Sequence, residues 1–119
     1  MHIRELQLNE VTKLVPLLDQ LGYPTDVESA EKRFSALLSH SDYDTLVVEQ
    51  DGCFIAFAGL HFGQHYEANG QYIRVVAFVV DDTYRRMGVG RKLMSAIEDL
   101  AKARGASSLV LNSGNREER

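Results

Sequence analysis

The stretch VVAFVVDDTYRRMGVGRKLM, from Val75 to Met94, limits what this chain can become more than any other. An apolar run of strand character ends in two aspartates, passes through arginines and two glycines spaced one apart, and then takes on helical periodicity. From Gly88 to Arg104 the apolar positions Leu93, Met94, Ile97, Leu100 and Ala101 recur at three and four, and Gly105 supplies a helix stop. SSLVLN then reads as a strand. A strand, a helix and a strand joined this closely form a right-handed crossover, so these two strands should run parallel.

Upstream the order is strand, helix, helix, hairpin, strand. HIREL alternates over a strand length, and NEVTKLVPLLDQLG places Val11, Leu14, Val15, Leu18 and Leu21 at helical spacing before Gly22. Pro16 is compatible with that helix only through a local distortion or a start close to it. Thr25 with Glu28 three residues on predicts a capping box for a second helix bearing Ala30, Phe34, Leu37 and Leu38 on one face. TLVVEQ, Asp51-Gly52 and CFIAFAGLHF form a hairpin, because Asp-Gly accommodates the positive φ angles of a tight turn. Gly59 interrupts its second strand and signals a bulge or a close approach. GQHYEANGQ, with Asn69-Gly70, turns the chain into YIRVVAFVV. Three consecutive antiparallel strands therefore precede the parallel crossover.

The chemistry of the Val75 to Met94 stretch follows from where its glycines fall. A helix start presents unpaired N–H groups and the positive end of the helix dipole, which together favour an anion. Gly88 and Gly90 permit close backbone approach there, and Arg85, Arg86, Arg91 and Lys92 supply positive charge. This is the composition of a phosphate cradle. The dinucleotide fingerprint would need glycine at 93, which is Leu93, and the P-loop lysine and hydroxyl fit in neither register. The plainer reading of the same residues is a tight turn with solvated arginines.

Composition bounds the rest. A chain of 119 residues is one domain, able to bury about two thirds of the surface its unfolded form exposes. A net charge of −4 argues against broad attraction to nucleic acid or an anionic membrane. An RNA-binding module built on the basic loop would also lack aromatic stacking residues on a strand beside it. Cys53 is the single cysteine, so no intrachain disulfide can form; with no apolar signal core at the N-terminus, the expected location is cytoplasmic. No metal is expected.

RRMGVG, from Arg85 to Gly90, matches the [RQ]xxGxG/A motif of the GNAT (general-control-related N-acetyltransferase) superfamily, and Val75 to Asn112 resembles that family's strand, pyrophosphate loop, helix and following strand. The element order upstream is also similar, and LGYP, from Leu21 to Pro24, resembles the segment that borders the family's acceptor site. The resemblance implies an α/β (α+β) fold: one domain over residues 1–119, with a mixed, mostly antiparallel sheet flanked by helices. It implies acetyl-CoA as co-substrate, with the pyrophosphate on Arg85, Arg86, Met87, Gly88, Val89, Gly90, Arg91 and Lys92. The pantetheine arm would run along Phe78, Val79 and Val80.

Transfer to a primary amine needs a base, a donor polarising the thioester carbonyl, and an acid for the leaving thiolate. Many relatives carry a glutamate at the position of Val76, where this chain has no carboxylate. The nearest suitable groups are His61 and Glu67, with His65 and Tyr66 behind them, and a base acting through water is equally compatible. The family's tyrosine acid, helix and last strands have no counterpart by Arg119, so the sequence reads as cut inside that fold. The SSLVLN edge then points to a homodimer. The expected acceptor is a small-molecule amine; a protein amine and a non-catalytic acyl-CoA-binding role stand as alternatives.

Overall fold

The computed structural model describes residues 1–111. It contains a five-stranded sheet in the order β1-β2-β3-β4-β5, made of His2–Glu5, Tyr43–Gln50, Cys53–Gln64, Gln71–Val80 and Ser108–Leu111. Neighbours are antiparallel except β4 and β5, which are parallel as the crossover requires. This is the mixed, mostly antiparallel sheet that the strand order implies.

The helices cover both faces. A 3-10 helix over Leu8–Leu14 leads into α1, Val15–Leu21, and α2 spans Val27–Leu38. Their apolar sides, including Val11, Leu14, Leu17 and Phe34, pack with Val47, Phe57 and Val79 of the sheet. On the other face α3, Val89–Arg104, sets Leu93 and Ile97 against Leu46, Val48, Leu60 and Ile73. Burying each such side chain is worth about 1.5 to 3 kcal/mol. Among the described residues no helix is long and apolar enough to cross a membrane.

Pro16 sits in the first turn of α1, where its missing N–H has no intrahelical partner to lose. The segment before it closes into the tighter 3-10 form, so the expected single helix is two. The capping box at Thr25 is not formed: Asp26 is the cap of α2, its carboxylate accepting from Ser29 N–H at 2.7 Å. The charged oxygen one residue on outcompetes the threonine hydroxyl, which donates instead to the Asp26 carbonyl. A capping box does form at Gln7 and Glu10. Ser113 and Asn115, the caps expected for a following helix, lie outside the described residues.

The bulge anticipated at Gly59 is present, and its extra residue lies on the partner strand. Gly59 pairs with Ala77 and Leu60 with Val75, which leaves Val76 of β4 unpaired and 39% exposed. A bulge bends its strand and increases the local twist. β4 pairs with β5 only from Tyr72 to Val75, so among the described residues the edge of β4 facing β5 has no strand partner from the bulge to Val80.

Candidate active site

The start of α3 is built for an anion. Gly88 is its N-cap, at φ 81°, and Arg86 is also left-handed at φ 70°. No side chain caps the helix, and the N–H groups of Gly88, Val89, Gly90 and Arg91 find no acceptor among the described residues. Space around Gly88 is open, since a Cβ added there would meet nothing within 4 Å. Gly90 faces β4 instead: a Cβ there would make ordinary contacts, 3.5 Å from Val80 Cγ2 and 3.7 Å from Phe78 Cε1.

The basic side chains divide the same way. Arg85 is held by the loop, Nε donating to the Val80 carbonyl at 3.0 Å and a guanidinium nitrogen lying 2.9 Å from the Asp82 carboxylate. Arg86, Arg91 and Lys92 are exposed and form no ion pair among the described residues. Phe78 and Val80 lean toward the α3 core and Val79 toward α1. Met87 is exposed and Val89 is buried.

From the bulge a cleft of about 960 Å³ runs beneath α1 and α2, bounded by the Leu21 to Pro24 segment, Arg33, Phe34, Tyr43, Thr45, Gly59 and residues Val75 to Phe78. Its floor is a transverse row: Thr45 pairs with Gly59, and Gly59 with Ala77. Asp44 also borders the cleft, but strand alternation gives it the face of Leu46, and its nearest charges are Glu5 and Arg104. Burial, and then Glu5, push its carboxyl above the usual carboxylate range.

Of the two candidate bases, His61 shares the cleft face, two residues along β3 from Gly59. Its ring stands 4.9 Å from that of Tyr43 and 6.2 Å from that of Tyr72. Glu67 lies in the turn between β3 and β4, 78% exposed, 3.7 Å from His65 Nδ1. Tyr66 is fully exposed in the same turn, and His65 Nε2 sits 3.2 Å from the Ser107 hydroxyl. The structure therefore separates the two candidates. Among the described residues no group of three or more His, Cys, Asp or Glu could hold a metal.

The profile of the acetyltransferase (GNAT) family matches residues 11–118. The chain belongs to that family. An uncharacterised N-acetyltransferase of Bacillus subtilis, YhfO, is 30% identical over 116 residues, covering 93% of this chain and 77% of the relative. A GNAT family acetyltransferase from Staphylococcus aureus superposes with a TM-score of 0.91 at 30% identity, over 99% of this chain and 90% of the other. The fold is also that of a glucosamine-6-phosphate N-acetyltransferase from Arabidopsis thaliana, with TM-score 0.83 and 24% identity over 93% and 80% of the two chains. Acetyl transfer is the chemistry of the GNAT family, and acetyl-CoA its general donor.

Sequence reasoning found the loop because a spaced glycine pair between strand and helix is a local signal. It did not single out Thr45 or Arg33, which line the cleft. Nothing local distinguishes a threonine in an apolar strand; its position opposite a glycine exists only once β2 and β3 pair.

Proposed function

We propose that this GNAT protein transfers the acetyl group of acetyl-CoA to the primary amine of a small molecule. One observation carries the reading: among the described residues, four unpaired N–H groups at the α3 start adjoin an unpaired stretch of β4 edge, and that edge opens at the bulge onto the cleft. Phosphate oxygens suit the first, an amide-bearing arm the second, and an acceptor the third.

Acetyl-CoA supplies the acetyl group as a reactive thioester. The loop N–H groups from Gly88 to Arg91 donate to the pyrophosphate oxygens, with Arg86, Arg91 and Lys92 adding charge. Backbone groups near Phe78, Val79 and Val80 hold the arm as an added strand. A backbone N–H at the Val76 bulge is available to the thioester carbonyl. His61 takes the proton of the attacking amine through water, since the residue at 76 has no carboxylate to do so directly, and as the C–S bond breaks the departing CoA thiolate takes its proton from solvent water. The apolar wall of Leu18, Leu21 and Phe34 limits competing water.

A small acceptor fits a cleft of about 960 Å³, within the ordinary range of small-molecule sites. Calorimetry with CoA, followed by a thiol-release assay over a panel of amines, tests the proposal. Saturable CoA binding with amine-dependent thiol release is the expected result. Binding without turnover for any amine would favour a non-catalytic acyl-CoA-binding role, and absence of CoA binding to folded protein would end both readings.

A further inference from the structure

Thr45 is 3% exposed, the one buried polar or charged residue among those described. Its backbone is engaged: the N–H donates to Asp44 Oδ1 at 3.0 Å and the carbonyl accepts from Leu6 N–H at 3.0 Å. Its hydroxyl forms no hydrogen bond among the described residues. Yet among the described residues no side-chain polar atom sealed from solvent lacks a partner, so this oxygen keeps its opening, and the space it borders is the cleft. A hydroxyl that opens onto a cleft and has no protein partner is free to bond whatever enters.

The neighbouring glycine shows that the space is kept open. Gly59, opposite Thr45, does not have a positive φ, and a Cβ there would meet Ala77 Cβ at 3.5 Å and Val76 Cγ2 at 3.7 Å, ordinary contacts. Neither backbone geometry nor crowding demands glycine. What its absent side chain provides is a bare floor from Ala77, beside the bulge, to the Thr45 hydroxyl, about 10 Å over two strand spacings.

Across the cleft stands Arg33 of α2. It forms no ion pair among the described residues and reaches only Thr25 Oγ1, at 3.5 Å. Its charge also acts on the Asp26 carboxylate, one oxygen of which accepts from Ser29 N–H as the cap of α2. Asp44, the one carboxylate among the described residues that border the cleft, belongs to the opposite sheet face.

We infer that Thr45, Gly59 and Arg33 select the acceptor, and that it is a short primary amine carrying a carboxylate or phosphate. The amine lies over Ala77, the chain crosses Gly59, and the anionic group takes the Thr45 hydrogen bond with the charge of Arg33 beside it. The inference rests on the transferase reading.

The test titrates matched amines into the CoA-loaded protein by calorimetry: 5-aminopentanoate against pentylamine, and 3-aminopropyl phosphate against propylamine. The anionic member of at least one pair should bind about tenfold more tightly, and which pair shows the larger ratio separates carboxylate from phosphate. Arg33→Gln should erase most of that ratio. Thr45→Val should weaken the anionic amine about fivefold while leaving Tm equal or higher, whereas a structural hydroxyl would lower Tm. Gly59→Ala should fold normally, keep CoA affinity and weaken both members. Equal affinities within both pairs, undiminished binding in Thr45→Val, or no amine binding to protein that binds CoA would overturn the inference. CoA binding is measured first on the same samples, so its failure would count against the transferase reading instead.

Discussion

Gln20 and Asp81 stand 61 positions apart and are joined by a hydrogen bond of 3.1 Å, the Gln20 amide donating to the Asp81 carboxylate. The same side chain accepts from Asp82 N–H at 2.9 Å. One residue of α1, the helix that walls the cleft, thus holds the chain where it leaves β4 for the anion loop. Asp81 uses the same carboxylate oxygen to accept from Thr83 N–H at 3.4 Å, so the turn ahead of the arginines is fixed from both ends.

Gln20→Ala removes both bonds without touching the proposed CoA site. Each is worth about 1 kcal/mol net, so Tm should fall by a few degrees and CoA should bind about three- to tenfold more weakly. Thermal melts and calorimetry on one sample give both numbers. Unchanged CoA affinity with a lowered Tm would show that the clamp serves the fold alone.

Gly88→Val should abolish measurable CoA binding. At φ 81° a β-branched residue is strained, although a Cβ would meet no protein atom within 4 Å. The open space is where phosphate oxygens would lie. Circular dichroism should remain that of the folded protein; undiminished CoA affinity in a folded variant would mean that the loop is only a turn.

Acid should weaken the first strand's attachment. Arg4 donates to both Glu10 oxygens, at 2.9 and 2.6 Å, and to Glu49 at 3.0 Å. The Arg4 hydrogen bonds, opposed by burial, hold Glu10 at about 2, below its ordinary 4.5, and hold Arg4 above its own usual value. A carboxylate lowered in the fold stabilises above its unfolded pKa, and that contribution is lost as pH falls from about 4.5 toward 2. Glu10→Gln should therefore cost about 1 kcal/mol at pH 7, with the difference from wild type vanishing near pH 2. Denaturant titrations at a series of pH values measure this; a constant difference would mean that the loss is one of packing.

The sequence made the strand order, the crossover and the anion loop legible because each has a short-range signature. Asp51 and Gly52 do take positive φ angles, 54° and 81°. Gly59 announced an irregularity but not which strand carries the extra residue, since a bulge is a property of a pair: Val76 is displaced because Gly59 pairs with Ala77. The cleft was less legible for the same reason. Leu21 to Pro24 lines it, whereas Thr45 is an ordinary strand residue until β3 lies beside it.

The two candidate bases predict different pH behaviour. His61 lies on the cleft face in a row of rings with Tyr43 and Tyr72, whereas Glu67 is in the exposed turn beyond that row. If His61 relays the amine proton through water, His61→Gln should lower kcat/KM about 100-fold near neutral pH. The loss should shrink at alkaline pH, where the free amine is already abundant. Glu67→Gln should leave the profile within about twofold of wild type, because its carboxylate faces solvent and a surface change there is nearly neutral. Thiol-release rates between pH 6 and 10 distinguish the cases. A loss in His61→Gln that is independent of pH would make the imidazole a packing partner of Tyr43, and a pH-dependent loss in Glu67→Gln would move the base to the turn.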